Sequence, residues 1–163
     1  MLLIPSLCFA QKNYCKKIKR KVDEDKGTIT YQSPILRDIT VIKQFKTNPF
    51  FGLLLHIYDV YDHTEIIKGS EIEFEDGSVL KEENTKVDCK QEMTEISVNS
   101  FGASSHSGEY LLQGFFHIND KNAQKFANKK IVRVQLGPVS QRVPDKDATD
   151  MRHYVRCLRD FNP

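Results

Sequence analysis

The stretch Glu109–Leu136, EYLLQGFFHINDKNAQKFANKKIVRVQL, constrains the fold more than any other part of the chain. An apolar run to Ile118 reads as a strand, and Ile131–Leu136 reads as a second. Between them, Asn119 or Asp120 can cap a helix, and Ala123, Phe126 and Ala127 give an i, i+3, i+4 apolar stripe. A helix of about two turns is not stable alone, so Phe126 must dock on a sheet. Strand, helix and strand with Gly114 inside is also the outline of a nucleotide-binding crossover. Asn119-Asp120-Lys121-Asn122, however, offers no Gly-rich phosphate cradle, so that crossover is not expected. The unit is expected to be two strands of a β core bridged by a short plug helix.

Hairpin signals surround that unit. Asn13–Val22 alternates Tyr14, Ile18 and Val22 with basic residues and predicts a strand. Asp23–Gly27 predicts a turn, and Thr28–Tyr31 the returning strand. Asp38–Phe45 and Phe50–Val60 predict an antiparallel pair about Asn48-Pro49, the second buried on both faces. Glu65–Gly69 predicts a short strand. In Glu71–Leu80, Ile72 and Phe74 share one face and Glu71, Glu73 and Glu75 the other, with a type I′ turn at Asp76-Gly77. Lys81–Glu92 is dense in charge and reads as a loop around a short strand. Thr94–Phe101 reads as a strand, Gly102–Gly108 as a loop of small residues, and Val139–Lys146 as irregular. The final segment predicts a helix capped by Asp147 or Thr149, with Met151, Tyr154, Val155 and Leu158 on one stripe. A mainly β fold follows: an antiparallel sandwich or strongly curled sheet with two short helices, near 120–129 and 147–160. The alternative is an open α+β sheet in which the two strands of Glu109–Leu136 pair in parallel.

A chain of 163 residues suits one domain. Residues 11–163 are assigned to it, and residues 1–10, MLLIPSLCFA, to the remnant of a signal peptide cut after Ala10. That places the protein outside the cytoplasm, secreted or periplasmic. Cys15, Cys89 and Cys157 then allow one disulfide and one free thiol, and Cys15–Cys157 is the expected bridge. A net charge of +2 does not suggest nucleic acid. Lys16, Lys17, Lys19, Arg20 and Lys21 fit a solvated, aggregation-resistant edge better than a phosphate-binding strip. No run reaches the roughly eighteen apolar residues of a membrane span.

Several groups of reactive side chains bear on chemistry. His56, Asp59, Asp62 and His63 are close in sequence, but His56 and Asp59 alternate to opposite faces of a strand. The glutamate row at 71, 73 and 75 is flat and cannot encircle calcium. Ser104, Ser105, His106 and Ser107 lack the spacing of a nucleophile elbow. Arg152, Arg156 and Arg159 read as a solvated helix face. No catalytic residue, metal ligand or cofactor site is assigned. The expected function is a non-enzymatic module that binds a protein, glycan or small ligand, or serves the envelope structurally. The alternative is a small extracytoplasmic hydrolase built from loop residues such as Asp62, His63 and His106. Convergence of two among His56, His63, His106, His117 and His153 with carboxylates or a serine would favour the enzyme.

Overall fold

The computed structural model describes residues 13–61, 67–98 and 104–161, with side chains described outside 93–98 and 104–109. Beyond a helical turn at 13–15, the described residues form ten strands and two helices. In chain order these are β1 (Lys19–Asp23), β2 (Thr28–Gln32), β3 (Ile39–Lys46), β4 (Phe50–Asp59), β5 (Lys68–Phe74), β6 (Val79–Lys86), β7 (Asp88–Val98), β8 (Ser104–His117), α1 (Ala123–Asn128), β9 (Ile131–Leu136), β10 (Val139–Arg142) and α2 (Asp145–Arg159). The strands form a six-stranded sheet, β1-β2-β3-β4-β8-β7, and a four-stranded sheet, β10-β9-β5-β6. Every ladder among the described residues is antiparallel.

The fold is therefore mainly β, with two antiparallel sheets and a sandwich-like core. β8 and β9 lie in different sheets, which overturns the parallel pair of the open α+β alternative. α1 carries the chain from one sheet to the other. Its Phe126 is fully buried, edge-on to Phe74 at 5.1 Å and tilted against Phe116 at 5.8 Å. Burying that ring contributes about 2–3 kcal/mol, which offsets the weakness of so short a helix. Gly114 is the second device in this unit: a Cβ there would lie 2.6 Å from Leu136 Cδ2. The missing side chain lets Leu136 of the smaller sheet settle onto β8.

Inward residues alternate with outward ones along the central strands. Leu53, Leu55 and Ile57 of β4 are buried with Ile39, Val41, Leu112 and Phe116, and Ile72, Phe74, Val134 and Leu136 face them from the smaller sheet. β4 is not buried on both faces: Leu54 and His56 are half-buried and Tyr58 is 43% exposed, because the smaller sheet covers only the inner side of the larger one. The Asn48-Pro49 turn joins β3 and β4 as expected.

Other expectations need correction. Residues 13–15 form a helical turn rather than the start of a strand, and β1 begins only at Lys19. Tyr14 and Ile18, four residues apart, both pack against the core, a spacing that helix-like turns satisfy. The charged segment 81–92 is not a loop but most of β6 and the start of β7, each at the edge of its sheet. Edge strands need few apolar anchors and are protected by charge, so apolar alternation fades there. Val139–Arg142, in the segment read as irregular, is the edge strand β10, and Ser104–Gly108, read as a loop of small residues, opens β8 beyond the end of its ladder with β4.

The Asp76-Gly77 turn is not type I′. Only Gly77 has positive φ, and Phe74 N–H bonds the Ser78 carbonyl across a three-residue loop. The two-residue loop with both φ positive is Arg37-Asp38, closed by reciprocal bonds between Leu36 and Ile39. Helix α1 is shorter than 120–129; Asn119 Oδ1 accepts from Lys121 and Asn122 N–H one turn before it. Helix α2 starts at Asp145, with Pro144 as its N-cap residue, and buries the expected stripe of Met151, Tyr154, Val155 and Leu158.

The Cys15–Cys157 disulfide is present, with Cα atoms 5.4 Å apart. Beside it, Tyr14 stacks on His153 at 4.5 Å and donates its hydroxyl proton to Asp150 at 2.7 Å. The arginines of α2 are not a solvated face. Arg156 Nε donates to the Ala127 carbonyl at 2.6 Å, Arg152 reaches the Asn128 carbonyl at 3.5 Å, and Arg159 reaches Gln124. Arg156 and Arg152 thus hold the C-terminal end of α1, where cations satisfy free carbonyls. Lys43 does the same for α2, donating to the carbonyls of Leu158, Arg159 and Phe161. No described helix is long and apolar enough to cross a membrane.

Candidate ligand-binding cleft

The histidines are the natural place to look for chemistry. His56 lies on the outer side of β4 opposite Gln113. His153 is packed on Tyr14, and burial, then Arg156 and Arg152, push its imidazole below the ordinary histidine range. His106 occupies β8 opposite Ile96, with its side chain outside the described set; Asp62 and His63 lie outside the described residues. Among the described histidines, His117 bonds a carboxylate, that of Glu82, which in turn accepts from a hydroxyl.

Its position follows from the sandwich. β8 ends at His117 in the larger sheet, and β6 passes it as the edge of the smaller one. Glu82 on β6 accepts the His117 backbone N–H at 3.0 Å and faces its Nδ1 at 3.2 Å. The Thr85 hydroxyl donates to the same carboxylate at 3.2 Å and shares a hydrogen bond with Ser70 Oγ at 2.8 Å. Asn122 Nδ2 fixes the other side of the His117 peptide by donating to its carbonyl at 3.1 Å. The result is a chain of polar groups, Ser70–Thr85–Glu82–His117, running from the interior to an exposed imidazole.

Phe115 supplies an apolar wall. Its ring meets Phe50 at 4.9 Å and His117 at 4.8 Å, edge to face in both contacts. Gly52 is required beneath it, since a Cβ there would lie 2.6 Å from the Phe115 ring and 2.2 Å from the Phe116 carbonyl oxygen. Together Phe115, His117, Glu82, Glu83, Asn84, Thr85 and Lys86 line a cleft of about 540 Å³. A larger hollow of about 870 Å³ lies along the β1–β2 hairpin, but its walls are mostly polar and charged residues such as Asp23, Glu24, Asp25 and Lys26, with no aromatic ring among them. The smaller cleft is the better site because an aromatic face and converging polar groups meet there.

The order of groups limits what the cleft can do. A hydrolytic triad places the imidazole between nucleophile and carboxylate. Here the carboxylate stands between the hydroxyls and the imidazole, so neither Ser70 nor Thr85 has His117 as its base. Ser70 is also buried, at 1% exposure. The glutamates of the flat row are engaged elsewhere: Glu71 with Lys81 at 2.6 Å, Glu73 with Arg133 at 2.6 Å, and Glu75 with the Lys130 N–H at 3.1 Å. No cluster of three or more potential metal ligands occurs among the described residues.

Sequence reasoning reaches His117 only as one of five histidines and misses Glu82 and Thr85. Residues 35 positions apart in two different sheets leave no local spacing to detect. The available signal was the FFH ending of β8, an aromatic pair followed by a titratable group.

Fold and cleft define a class, a disulfide-bridged protein of two antiparallel sheets with an aromatic and carboxylate cleft between a sheet edge and a strand end. Compared with known protein families, with curated proteins and with solved structures, the chain has no significant match.

Proposed function

We propose that the protein is a secreted or periplasmic binding module whose Glu82–His117 cleft takes a small ligand with several hydroxyl or amine donors beside an apolar face, the chemistry of a glycan unit. The observation that carries this reading is the Glu82 carboxylate, held by Thr85 and His117 next to the Phe115 ring. A carboxylate accepts hydrogen bonds from ligand hydroxyls, and an aromatic face covers the C–H surface of a sugar. The disulfide, and the resemblance of residues 1–10 to the end of a signal peptide, support the oxidising compartment. The hydrolase alternative has less support, because the imidazole lies beyond the carboxylate from both hydroxyls.

The reading is tested by NMR of labelled protein against a panel of mono- and oligosaccharides. Binding is expected to shift resonances of Phe115 and His117, with Glu82→Gln and Phe115→Ala each weakening it about tenfold. Lys26→Ala, on the hairpin hollow, leaves it unchanged. Shifts absent for every sugar, or equal in Glu82→Gln and wild type, would overturn the proposal.

A further inference from the structure

Strand β7 is one edge of the larger sheet, paired to β8 on one side and to no described strand on the other. An edge of this kind presents a row of backbone N–H and C=O groups that an added strand can complete. Its first half reads Asp88-Cys89-Lys90-Gln91-Glu92. Asp88, Lys90, Gln91 and Glu92 are exposed, and Cys89 is a free, half-buried thiol. Asp88, Lys90 and Glu92 alternate to one face of the strand and Cys89 and Gln91 to the other.

This segment is complementary to itself when reversed about Cys89. In an antiparallel pair of two such strands, Asp88 stands opposite Lys90 twice, once on each side of the dyad. Lys86, which bridges Asp88 at 2.8 Å within the chain, ends β6 in the other sheet and lies outside the paired segment. Moving the dyad by one residue, to Lys90, sets lysine against lysine and Asp88 against Glu92. Charge thus opposes the Lys90 register, while a dyad at Gln91 would set Lys90 opposite Glu92; only the Cys89 register also brings the two thiols together.

The other edges are less suited. β1 carries Lys19, Arg20 and Lys21 in succession, so two copies repel, and β10 has only four residues. On β6, reversal about Asn84 sets Glu82 opposite Lys86, but Glu82 is half-buried and held by Thr85 and His117, whereas the Lys86–Asp88 bridge is exposed.

We propose that β7 is a self-association edge: two copies of this chain pair antiparallel through β7 about a dyad at Cys89, joining their six-stranded sheets. The partner is a second copy because the charges match their own reversal, as a two-fold interface requires. Asp88–Lys90 pairs flank the dyad on one face, and the two Cys89 side chains meet on the other.

Sedimentation of the full chain, with the Cys15–Cys157 bridge intact, tests the pairing. Wild type and Cys89→Ser are both expected to dimerise with rising concentration. Oxidised glutathione, accepting the two electrons and two protons of the paired thiols, should link wild type through Cys89–Cys89, identified by peptide mapping. Lys90→Asp sets aspartate opposite Asp88 twice and is expected to weaken dimerisation and cross-linking about tenfold, because symmetry inverts two cross-strand pairs at once. The double variant Asp88→Lys with Lys90→Asp restores both, whereas a dyad at Gln91 would leave the introduced carboxylate facing Glu92 and give no recovery. A wild type that stays monomeric to about 1 mM and forms no Cys89 cross-link overturns the proposal, as does a double variant that fails to recover. Circular dichroism on each variant separates lost pairing from lost fold.

Discussion

Replacing Cys15 and Cys157 together by serine tests how far the bridge acts on the whole chain rather than on its first turn. The two positions are 142 residues apart, so the cross-link closes a loop around nearly every described element. In the chain-entropy description a loop of that size removes about 17 cal/mol/K from the unfolded ensemble, or about 5 kcal/mol at 25 °C. Domain stabilities are typically about 5–15 kcal/mol, so the loss would be a large share of the total. Equilibrium urea unfolding of wild type and the double variant, with Cys89 blocked in both, is the assay. The variant should lose about 3–5 kcal/mol, and its denaturant slope should rise because the freed chain expands further. A loss under about 1 kcal/mol with an unchanged slope would refute the chain-entropy account. Faster amide exchange confined to residues 13–18 would show instead that the bridge merely pins Tyr14 and its neighbours against α2.

The remaining predictions concern packing, the arginine clamp and pH. Gly52→Ala should destabilise by about 1–3 kcal/mol or more, since the Phe116 carbonyl cannot retreat without leaving its ladder, and the Phe115 resonances should shift. Arg156→Ala removes the charged donor to the Ala127 carbonyl and should cost about 1.5–3 kcal/mol, with amide exchange in α1 accelerating before that in β9. His153 has a folded-state pKa below its unfolded value, from burial first and then Arg156 and Arg152, against the opposing charge of Asp150. The stability contributed by keeping it neutral is therefore full above the unfolded pKa near about 6.5 and is lost as pH falls through that value toward the folded one. Unfolding free energy measured from about pH 7.5 to 5 should fall in wild type and lose that component in His153→Phe, which retains an aromatic ring beside Tyr14. An identical slope in both proteins would refute the assignment to His153.

How much of this was legible in the sequence depended on burial. Ile72 and Phe74, or Leu53, Leu55 and Ile57, sit on central strands where one face meets the core, and period-two apolar patterning marks them. The α2 stripe was equally clear because Met151, Tyr154, Val155 and Leu158 all face the sheets. Patterning failed at β6, the start of β7, and β10, where charged or polar residues dominate strands that need only one neighbour. Turn geometry failed where tertiary contacts overrode residue preference: Arg37 and Asp38 adopt positive φ without glycine or asparagine, while Asp76 does not. The Asp38 carbonyl accepts the His56 N–H at 2.9 Å, a long-range bond that no local signal encodes.

The cleft was harder to read for a related reason. Its polar chain crosses between sheets, so Glu82 and His117 become neighbours only because β6 and β8 meet across the core. Charge density along β6 consequently has two meanings at once. Lys81 pairs across the ladder with Glu71 and behaves as ordinary edge protection, whereas Glu82, next to it and on the opposite face, turns toward β8 and orders His117. Period-two alternation distinguishes these two faces once the strand is known, and a segment read as a loop has no faces to distinguish. Recognising an edge strand by its alternating charge, rather than by its apolar residues, would have placed Glu82 on the inward side, although its histidine partner still required the topology.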